Sequence, residues 1–181
     1  MNYRNGRMRI VRYLLGALIC CGLAAGCSRS KSRHEFRLPD WGLSAVMPAE
    51  PQKDEPDPEA PNTTVYFLDH DDTRFVLSVV RMPATFDPKE IQRVLDGLLK
   101  RRVPAITAEL GVQSTGQRSI SNGDLPGREW DFVHPDGAVG RERMFIIQPH
   151  GLCYVGVTWP KGQSIALAAE EFLTSVKVVK D

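Results

Sequence analysis

Four charged side chains at regular spacing form the first candidate site in the sequence. Glu129 and Asp131 stand two residues apart before a predicted turn, and Arg141 and Arg143 stand two residues apart after it. Carboxylates beside guanidinium groups can hold a charged ligand, and they can equally form salt bridges with each other. Both interpretations stay open, and the second needs only a hairpin that pairs the two segments.

The hairpin is predicted from its turn and from two patterns that agree. The segments on either side of residues 134–137 alternate in polarity. Placing Val133 opposite Val139 pairs both acidic residues with both arginines. The same register turns four apolar side chains to the other face: Trp130, Phe132, Met144 and Ile146. A slip of one residue would break both patterns, so the register is specified. We expect surface charge pairs, each contributing about 0.2–1 kcal/mol.

A cation site is the next chemistry that the residue types suggest. Asp69, His70, Asp71 and Asp72 adjoin in a predicted turn, and carboxylate oxygens gathered in this way could hold calcium. The segment lacks the alternating ligands and the distal bidentate glutamate of a calcium loop, so an ordinary polar turn is favoured. The four histidines are scattered without the spacing of a zinc site: His34, His70, His134 and His150. We predict no metal and no cofactor, although cation binding at residues 70–72 stays open.

Nucleophilic chemistry finds little support. Cys153 lies in the predicted strand Leu152–Val155, where a lone thiol is more typical of a buried core position than of a nucleophile. Ser164, in Gly162-Gln163-Ser164-Ile165, does not complete the Gly-x-Ser-x-Gly pattern of a nucleophile elbow and instead suits the cap of a final helix. Trp41 and Trp159 beside turns could line an aromatic recognition patch, but packing at the core or its rim is favoured. The sequence predicts a protein that is not an enzyme.

The N-terminal 26 residues have the layout of a signal peptide. Four arginines and no acidic residue precede an apolar run from Tyr13 to Ala25. As a helix this run would be about 20 Å long, which is short of the roughly 30 Å hydrocarbon layer of a bilayer. We therefore expect residues 1–26 to be removed.

The end of the apolar run, Leu23-Ala24-Ala25-Gly26-Cys27-Ser28, resembles the bacterial lipobox. Ala24 stands where leucine is usual, and Leu23 comes one place early. The resemblance implies that the Cys27 sulfur takes a diacylglyceryl group and that the bond before it is cut. Each buried methylene contributes about 0.8 kcal/mol, so two or three acyl chains hold a protein on a membrane. Cleavage without lipid and an uncleaved anchor are the alternatives.

The remaining residues indicate one domain on a tether. Residues 27–34 are polar and read as a flexible tether that begins at the lipidated Cys27. Residues 35–181 are long enough for a single core. From Cys27 onward the chain has 19 basic and 22 acidic side chains, which argues against nucleic-acid binding. Ser28 stands where an aspartate would suggest inner-membrane retention, so we expect an extracytoplasmic protein, on the outer membrane facing the periplasm.

The fold class is predicted as α+β. Strand patterns and turns indicate hairpins within residues 36–47 and 63–82, a solvated loop over 48–61 and an antiparallel meander over 112–158. Asp87-Pro88-Lys89-Glu90 predicts a helix start with a capping box, and an apolar stripe begins at Ile91. Pro104 should kink or stop this helix, and any continuation should end before Gly111. We expect an antiparallel sheet of about six to eight strands flanked by two or three helices.

Four segments recur in this order in a family of small uncharacterised bacterial lipoproteins: 125–129, 141–145, 153–157 and 171–176. The chain resembles that family over about residues 35–180. The proposed fold of the family is similar to PsbP, an extrinsic protein of photosystem II, and to Mog, a Ran-binding protein. Gly127, Glu129, Arg141 and Arg143 match the family's pattern, whereas Val176 stands where an aromatic residue is usual. The resemblance implies a PsbP/Mog-like sandwich without accepted catalytic residues, and PsbP's manganese-cluster role does not carry over.

These observations predict a lipoprotein anchored outside the cytosol through acyl chains on Cys27, with a non-catalytic binding, assembly or accessory role. Its partner is expected to be a protein or another envelope component. The alternative is a carrier or sensor of a small ligand, with a pocket between sheet and helix. A pocket deeper than about 300 Å³ with converging polar groups would favour that alternative.

Overall fold

A computed structural model describes residues 33–82, 85–149 and 151–179. Over these ranges the chain forms ten β-strands and two α-helices. The strands are β1 His34–Leu38, β2 Leu43–Met47, β3 Gln52–Lys53, β4 Thr63–His70, β5 Thr73–Arg81, β6 Gln113–Asn122, β7 Leu125–Val133, β8 Val139–Ile147, β9 Gly151–Trp159 and β10 Lys177–Val178. The helices are α1 Ile91–Leu110 and α2 Leu167–Ser175. None of the described helices is both long and apolar enough to cross a membrane.

The strands form two antiparallel sheets, which confirms the predicted α+β class. The large sheet has the order β3-β4-β5-β9-β8-β7-β6, and the small sheet has the order β1-β2-β10. Strands β6 to β9 form the predicted meander, and β9 then pairs with β5 from the earlier hairpin. The first hairpin is also confirmed, but it belongs to the small sheet.

The large sheet separates two hydrophobic cores. On one face, α1 packs its buried side chains against the apolar face of β7 and β8. This core contains Ile91, Leu95, Leu99, Val103, Ile106, Trp130, Phe132, Met144 and Ile146. On the other face, α2 and the small sheet cover the central strands. That core contains Leu43, Met47, Phe75, Leu77, Phe145, Val155, Phe172 and Leu173.

Helix α1 begins close to the predicted start and continues past its proline. A 3-10 turn, Pro88–Glu90, precedes the helix, and the Asp87 side chain accepts a hydrogen bond from the Lys89 backbone N–H at 2.9 Å. Glu90 does not complete a capping box, since it pairs with Arg93. Pro104 lies on the exposed side of α1, and the buried residues beyond it keep the helix packed on the sheet as far as Leu110.

The predicted cap of the final helix is wrong. Ser164 is exposed and lies before α2, which starts at Leu167 after an extended Ala166 and has no side-chain cap. Burial of Ala169, Phe172 and Leu173 stabilises this helix instead. The predicted loop over residues 48–61 is largely irregular, except that β3 pairs with the edge of β4.

Candidate functional site

The strongest concentration of charge lies where α2 crosses the large sheet. It is named here the Glu129 cluster and comprises Arg118 of β6, Glu129 and Asp131 of β7, Arg141 and Arg143 of β8, and Glu170 of α2. The predicted register is confirmed, since Val133 faces Val139, Asp131 faces Arg141 and Glu129 faces Arg143. The four apolar side chains predicted for the other face do lie there, where they pack against α1: Trp130, Phe132, Met144 and Ile146.

Glu129 is the centre of this cluster and is fully buried. Its Oε2 lies 2.5 Å from Nε of Arg143, and its Oε1 lies 3.5 Å from Nε of Arg141 and also contacts Arg118. The expectation of surface pairs is therefore wrong at Glu129, although Arg118 is about half exposed. The hairpin pattern could not reveal the burial, because the covering element comes from a distant part of the chain.

Helix α2 provides the cover and is itself bound by the arginines. Arg143 donates from Nη1 to the Leu173 carbonyl at 2.9 Å, and Arg141 pairs through Nη1 with Glu170 at 3.0 Å. Asp131 binds Arg141 at 2.6 Å and Arg118 at 2.9 Å. Three cations thus meet three carboxylates, and this arrangement favours a structural role that fastens α2 to the sheet.

Burial and its neighbours together set the electrostatics of Arg143. Burial lowers the pKa of Arg143, and the nearby Arg141 and Arg118 lower it further, whereas Glu170 and Asp131 raise it. The ordinary pKa of arginine lies so far above neutral pH that the guanidinium of Arg143 stays charged. Its charge is balanced by the carboxylate of Glu129.

A second set of polar side chains, which the sequence analysis missed, lies between α1 and the sheet. Arg102 forms two hydrogen bonds to Glu142, at 2.7 and 2.8 Å, and its guanidinium lies 4.3 Å from the ring centroid of Tyr154. Burial alone would lower the pKa of Arg102, but Glu142 raises it more. Arg128 is buried and pairs with Asp96 at 2.6 Å. Arg128 lies on the face of the hairpin that otherwise carries apolar side chains, and this break in the pattern could have identified it from the sequence.

Beside this set, a groove of about 340 Å³ runs between α1 and edge strand β6. The apolar part of its lining consists of Leu99, Val103 and Pro104. Asp96, Lys100 and Gln117 supply the polar part of its lining. Arg128 lowers the pKa of Asp96 through a hydrogen bond, which keeps this carboxylate ionised. The groove combines apolar and charged groups, as sites for small amphipathic ligands do.

The turn proposed as a cation site is a tight hairpin turn. Asp71 and Asp72 have positive φ values of 46° and 59°, and they connect β4 to β5. Both carboxylate oxygens of Asp69 accept hydrogen bonds from Arg74 at 2.7 Å. Within the described ranges, no group of three or more His, Cys, Asp or Glu residues is placed to hold a metal ion.

The aromatic and thiol candidates lie in the core. Trp41 and Trp159 are each 7% exposed, so the predicted packing at the core is confirmed. Cys153 is fully buried in β9, and burial raises the pKa of its thiol to about 12. Such a thiol is protonated at neutral pH and is a poor nucleophile. Cys27, the leader over residues 1–26 and the tether up to residue 32 lie outside the described residues, and β1 begins at His34.

His134 is the buried titratable group with the clearest consequence for stability. Its ring packs edge-on against Phe132 with centroids 5.4 Å apart, and Nε2 is inaccessible to solvent. Burial lowers the pKa of His134, and Asp136 opposes that effect only in part. The folded protein therefore holds the imidazole neutral at pH values where the unfolded chain begins to bind a proton.

We expect acidification to destabilise the protein through His134. This loss of stability is absent at pH values above the pKa of histidine in the unfolded chain, about 6.5, and it grows as the pH falls from there towards the lower pKa of the folded state. Each unit of pKa depression corresponds to about 1.4 kcal/mol. Urea unfolding at pH about 7.5 and about 5.5 measures the effect. H134F, which keeps a ring at this position, is the control and should lose less stability over that range; equal losses would contradict the assignment.

Comparison with solved structures identifies the fold as PsbP-like. The solution structure of cyanobacterial PsbP (CyanoP) from Synechocystis sp. PCC 6803 matches with a TM-score of 0.60. The match covers 86% of this chain and 97% of that chain, at 10% sequence identity. At this identity the likeness shows the fold alone, and it confirms the predicted PsbP-like α+β architecture.

Two further solved structures are more distant. A protein from Bacteroides thetaiotaomicron VPI-5482 has a TM-score of 0.46 and 16% identity over 84% of this chain and 50% of that chain. Protein PA94 of unknown function from Pseudomonas aeruginosa has a TM-score of 0.35 and 11% identity over 70% of this chain and 82% of that chain. No protein-family model and no curated protein matches the sequence.

Proposed function

We propose that the protein is an extracytoplasmic lipoprotein, anchored to a bacterial membrane by acyl chains on Cys27, with a non-catalytic binding, assembly or accessory role. The observation that carries this proposal is the order of features at the N-terminus. Arginines, a short apolar run and the lipobox-like Leu23–Ser28 are followed within a few residues by β1. This order supports a lipid attachment point directly before one folded domain.

The polar side chains of the described domain support an accessory role rather than catalysis. In the Glu129 cluster the guanidinium groups bind carboxylates of the same chain, and α2 covers the central one. The pairs Arg102–Glu142 and Arg128–Asp96 likewise connect α1 to the sheet. Charges used in this way stabilise a rigid scaffold, which suits a domain that presents a surface to a partner. The PsbP-like fold is compatible with that use.

The proposal predicts a defined chemical state for the N-terminus. Expressed from its full-length gene in a bacterial host, the protein should fractionate with membranes and begin at an acylated Cys27. C27S should lack the acyl mass, because serine offers no sulfur for the diacylglyceryl group. Mass spectrometry of the intact protein and of its N-terminal peptide measures both forms.

C153S is the matched control, since it removes the other cysteine of the mature chain and should leave acylation unchanged. A mature wild-type N-terminus at any other residue, or an unmodified Cys27, would overturn the anchor. For the protein acylated at Cys27, crosslinking in native envelopes followed by co-purification identifies the partner.

The groove between α1 and β6 supports a second candidate function, that of a small-ligand carrier or sensor. Its volume of about 340 Å³ and its charged rim at Asp96 and Lys100 favour an amphipathic small molecule. Native mass spectrometry of protein purified from envelopes would detect a retained ligand. Filling the groove with Q117W should remove that mass if the ligand binds there.

A further inference from the structure

The first turn of α2 lies at the end of the domain where the tether enters. Strand β1 begins at His34, which pairs with Met47 at the open end of the small sheet. Arg33 precedes this pair and forms a salt bridge with Glu171 of α2 at 2.9 Å. The chain that leads back to Cys27 therefore leaves the domain beside α2.

The contacts of α2 show which of its ends points towards the tether. Ser175, at the C-terminal end of α2, accepts a hydrogen bond from the backbone N–H of Val46, the register partner of Glu35. Glu171, one turn earlier, contacts Arg33, which lies before β1. The N-terminal end of α2 therefore points in the direction from which the chain enters β1. Leu167 lies one further turn along, about 6 Å beyond Glu171 and on the same side of the helix.

Leu167 is unusual among the described apolar residues because its side chain faces solvent. It is 63% exposed, and the only other large hydrophobic residue exposed in the described part of the chain is Val178, at 39%. Ala166 beside it is also exposed, and Ile165 is half buried. Leu167 therefore exposes an apolar side chain at the tether end of the domain, whereas Ile165 packs against the core that the inner side of α2 helps to form.

The covalent reach of the tether limits how far this segment can lie from the proposed lipid. Arg33 is six residue steps from Cys27, and an extended chain spans at most about 3.3–3.6 Å per step, or roughly 20 Å in all. Besides Arg33, which pairs with Glu171, the tether carries Arg29 and Lys31 and no acidic residue, so anionic headgroups attract it to the same surface. A lipid on Cys27 thus keeps the start of α2 close to the bilayer.

We propose that the exposed first turn of α2, at Ala166 and Leu167, contacts the bilayer interface and orients the domain on the membrane. This inference rests on the proposed lipidation of Cys27. In this orientation α2 and the small sheet lie towards the membrane, whereas α1 and its groove face away from it.

Tryptophan reporters test this orientation in the lipidated full-length product. L167W is reconstituted into vesicles of phosphatidylethanolamine and phosphatidylglycerol, with and without brominated acyl chains, which quench tryptophan at the interface. A108W is the matched control, because Ala108 is exposed on α1, on the opposite side of the large sheet. The three native tryptophans are buried, and the signal of the wild-type protein is subtracted. A166W provides a second reporter if L167W fails to fold.

On reconstitution into vesicles, the tryptophan emission of L167W or A166W is expected to shift to the blue. Its intensity should be lower in brominated vesicles than in unbrominated ones, and A108W should show neither change. Equal quenching at positions 167 and 108, or none at either, in a product acylated at Cys27 would overturn the proposed orientation and leave the anchor intact. A blue shift that depends on protein concentration and not on bromination would assign the segment to a second copy instead. A product without acyl chains would overturn the anchor itself, together with this inference.

Discussion

Replacing Glu129 with alanine is expected to lower the free energy of unfolding by about 3–5 kcal/mol, as the loss of one member of a buried ionic group does. Glu129 is fully buried and contacts three guanidinium groups, so its removal leaves Arg143 and Arg141 without their central counter-charge. Chemical denaturation with a two-state analysis measures the loss. Helix α2 should also lose hydrogen-exchange protection, because Arg143 bonds its Leu173 carbonyl.

Asp131 provides the matched control in the same strand. It pairs with Arg141 and Arg118 but keeps 19% of its side chain exposed, so water can solvate the arginines when it is removed. D131A should therefore cost clearly less than E129A. An exposed ion pair contributes at most about 1 kcal/mol to the free energy of unfolding. A loss below that value for E129A would show that α2 does not exclude water from the cluster.

Gly140 is the second position where one small change should have a large effect. A Cβ added at Gly140 would overlap the ring of Phe132, its partner across β7 and β8. Phe132 is buried and packs on Trp130 with ring centroids 4.7 Å apart, so it has little room to move. We expect G140A to cost about 1–3 kcal/mol, as overpacking of a core does. Thermal or urea unfolding measures the change.

The same substitution in α1 should have the opposite sign. A Cβ added at Gly97 meets nothing within 4 Å, and alanine is the better helix former. G97A should therefore stabilise the protein by roughly 0.5–1 kcal/mol. If G140A were as well tolerated as G97A, the packing of the Phe132 ring over the glycine would be disproved.

Local patterns predicted the elements of this fold well, because each depends on neighbours in the sequence. The charge pairs and apolar face of the β7–β8 hairpin follow from alternation alone, and Val133 indeed faces Val139. The division into two sheets could not be predicted in the same way. It depends on β10 pairing with β2, residues that lie at opposite ends of the domain. The Ser164 cap failed for a related reason, since distant core contacts fix where α2 begins.

The candidate site shows the same limit. The sequence identified the four charged residues of the hairpin, but their burial is set by α2, and the pairing of Arg118 with them is set by β6. Arg102 and Glu142 are 40 residues apart, and nothing in their own segments indicates a pair. No pattern in the sequence singled out Leu167, and only its position relative to Arg33 distinguishes it from an ordinary surface leucine.

The position of β9 has a consequence for the order in which the molecule can be assembled. Strand β9 lies between β5 and β8, and it pairs with β5 across at least 70 residues of chain. Strand β5 cannot form its hydrogen bonds to β9 until nearly all of the chain is available. Contacts between residues so far apart in the sequence form slowly. The export proposed above would suit this topology, because a chain without β9 cannot yet complete the large sheet. We expect the domain to acquire its cooperative structure only after β9 is available to pair with β5.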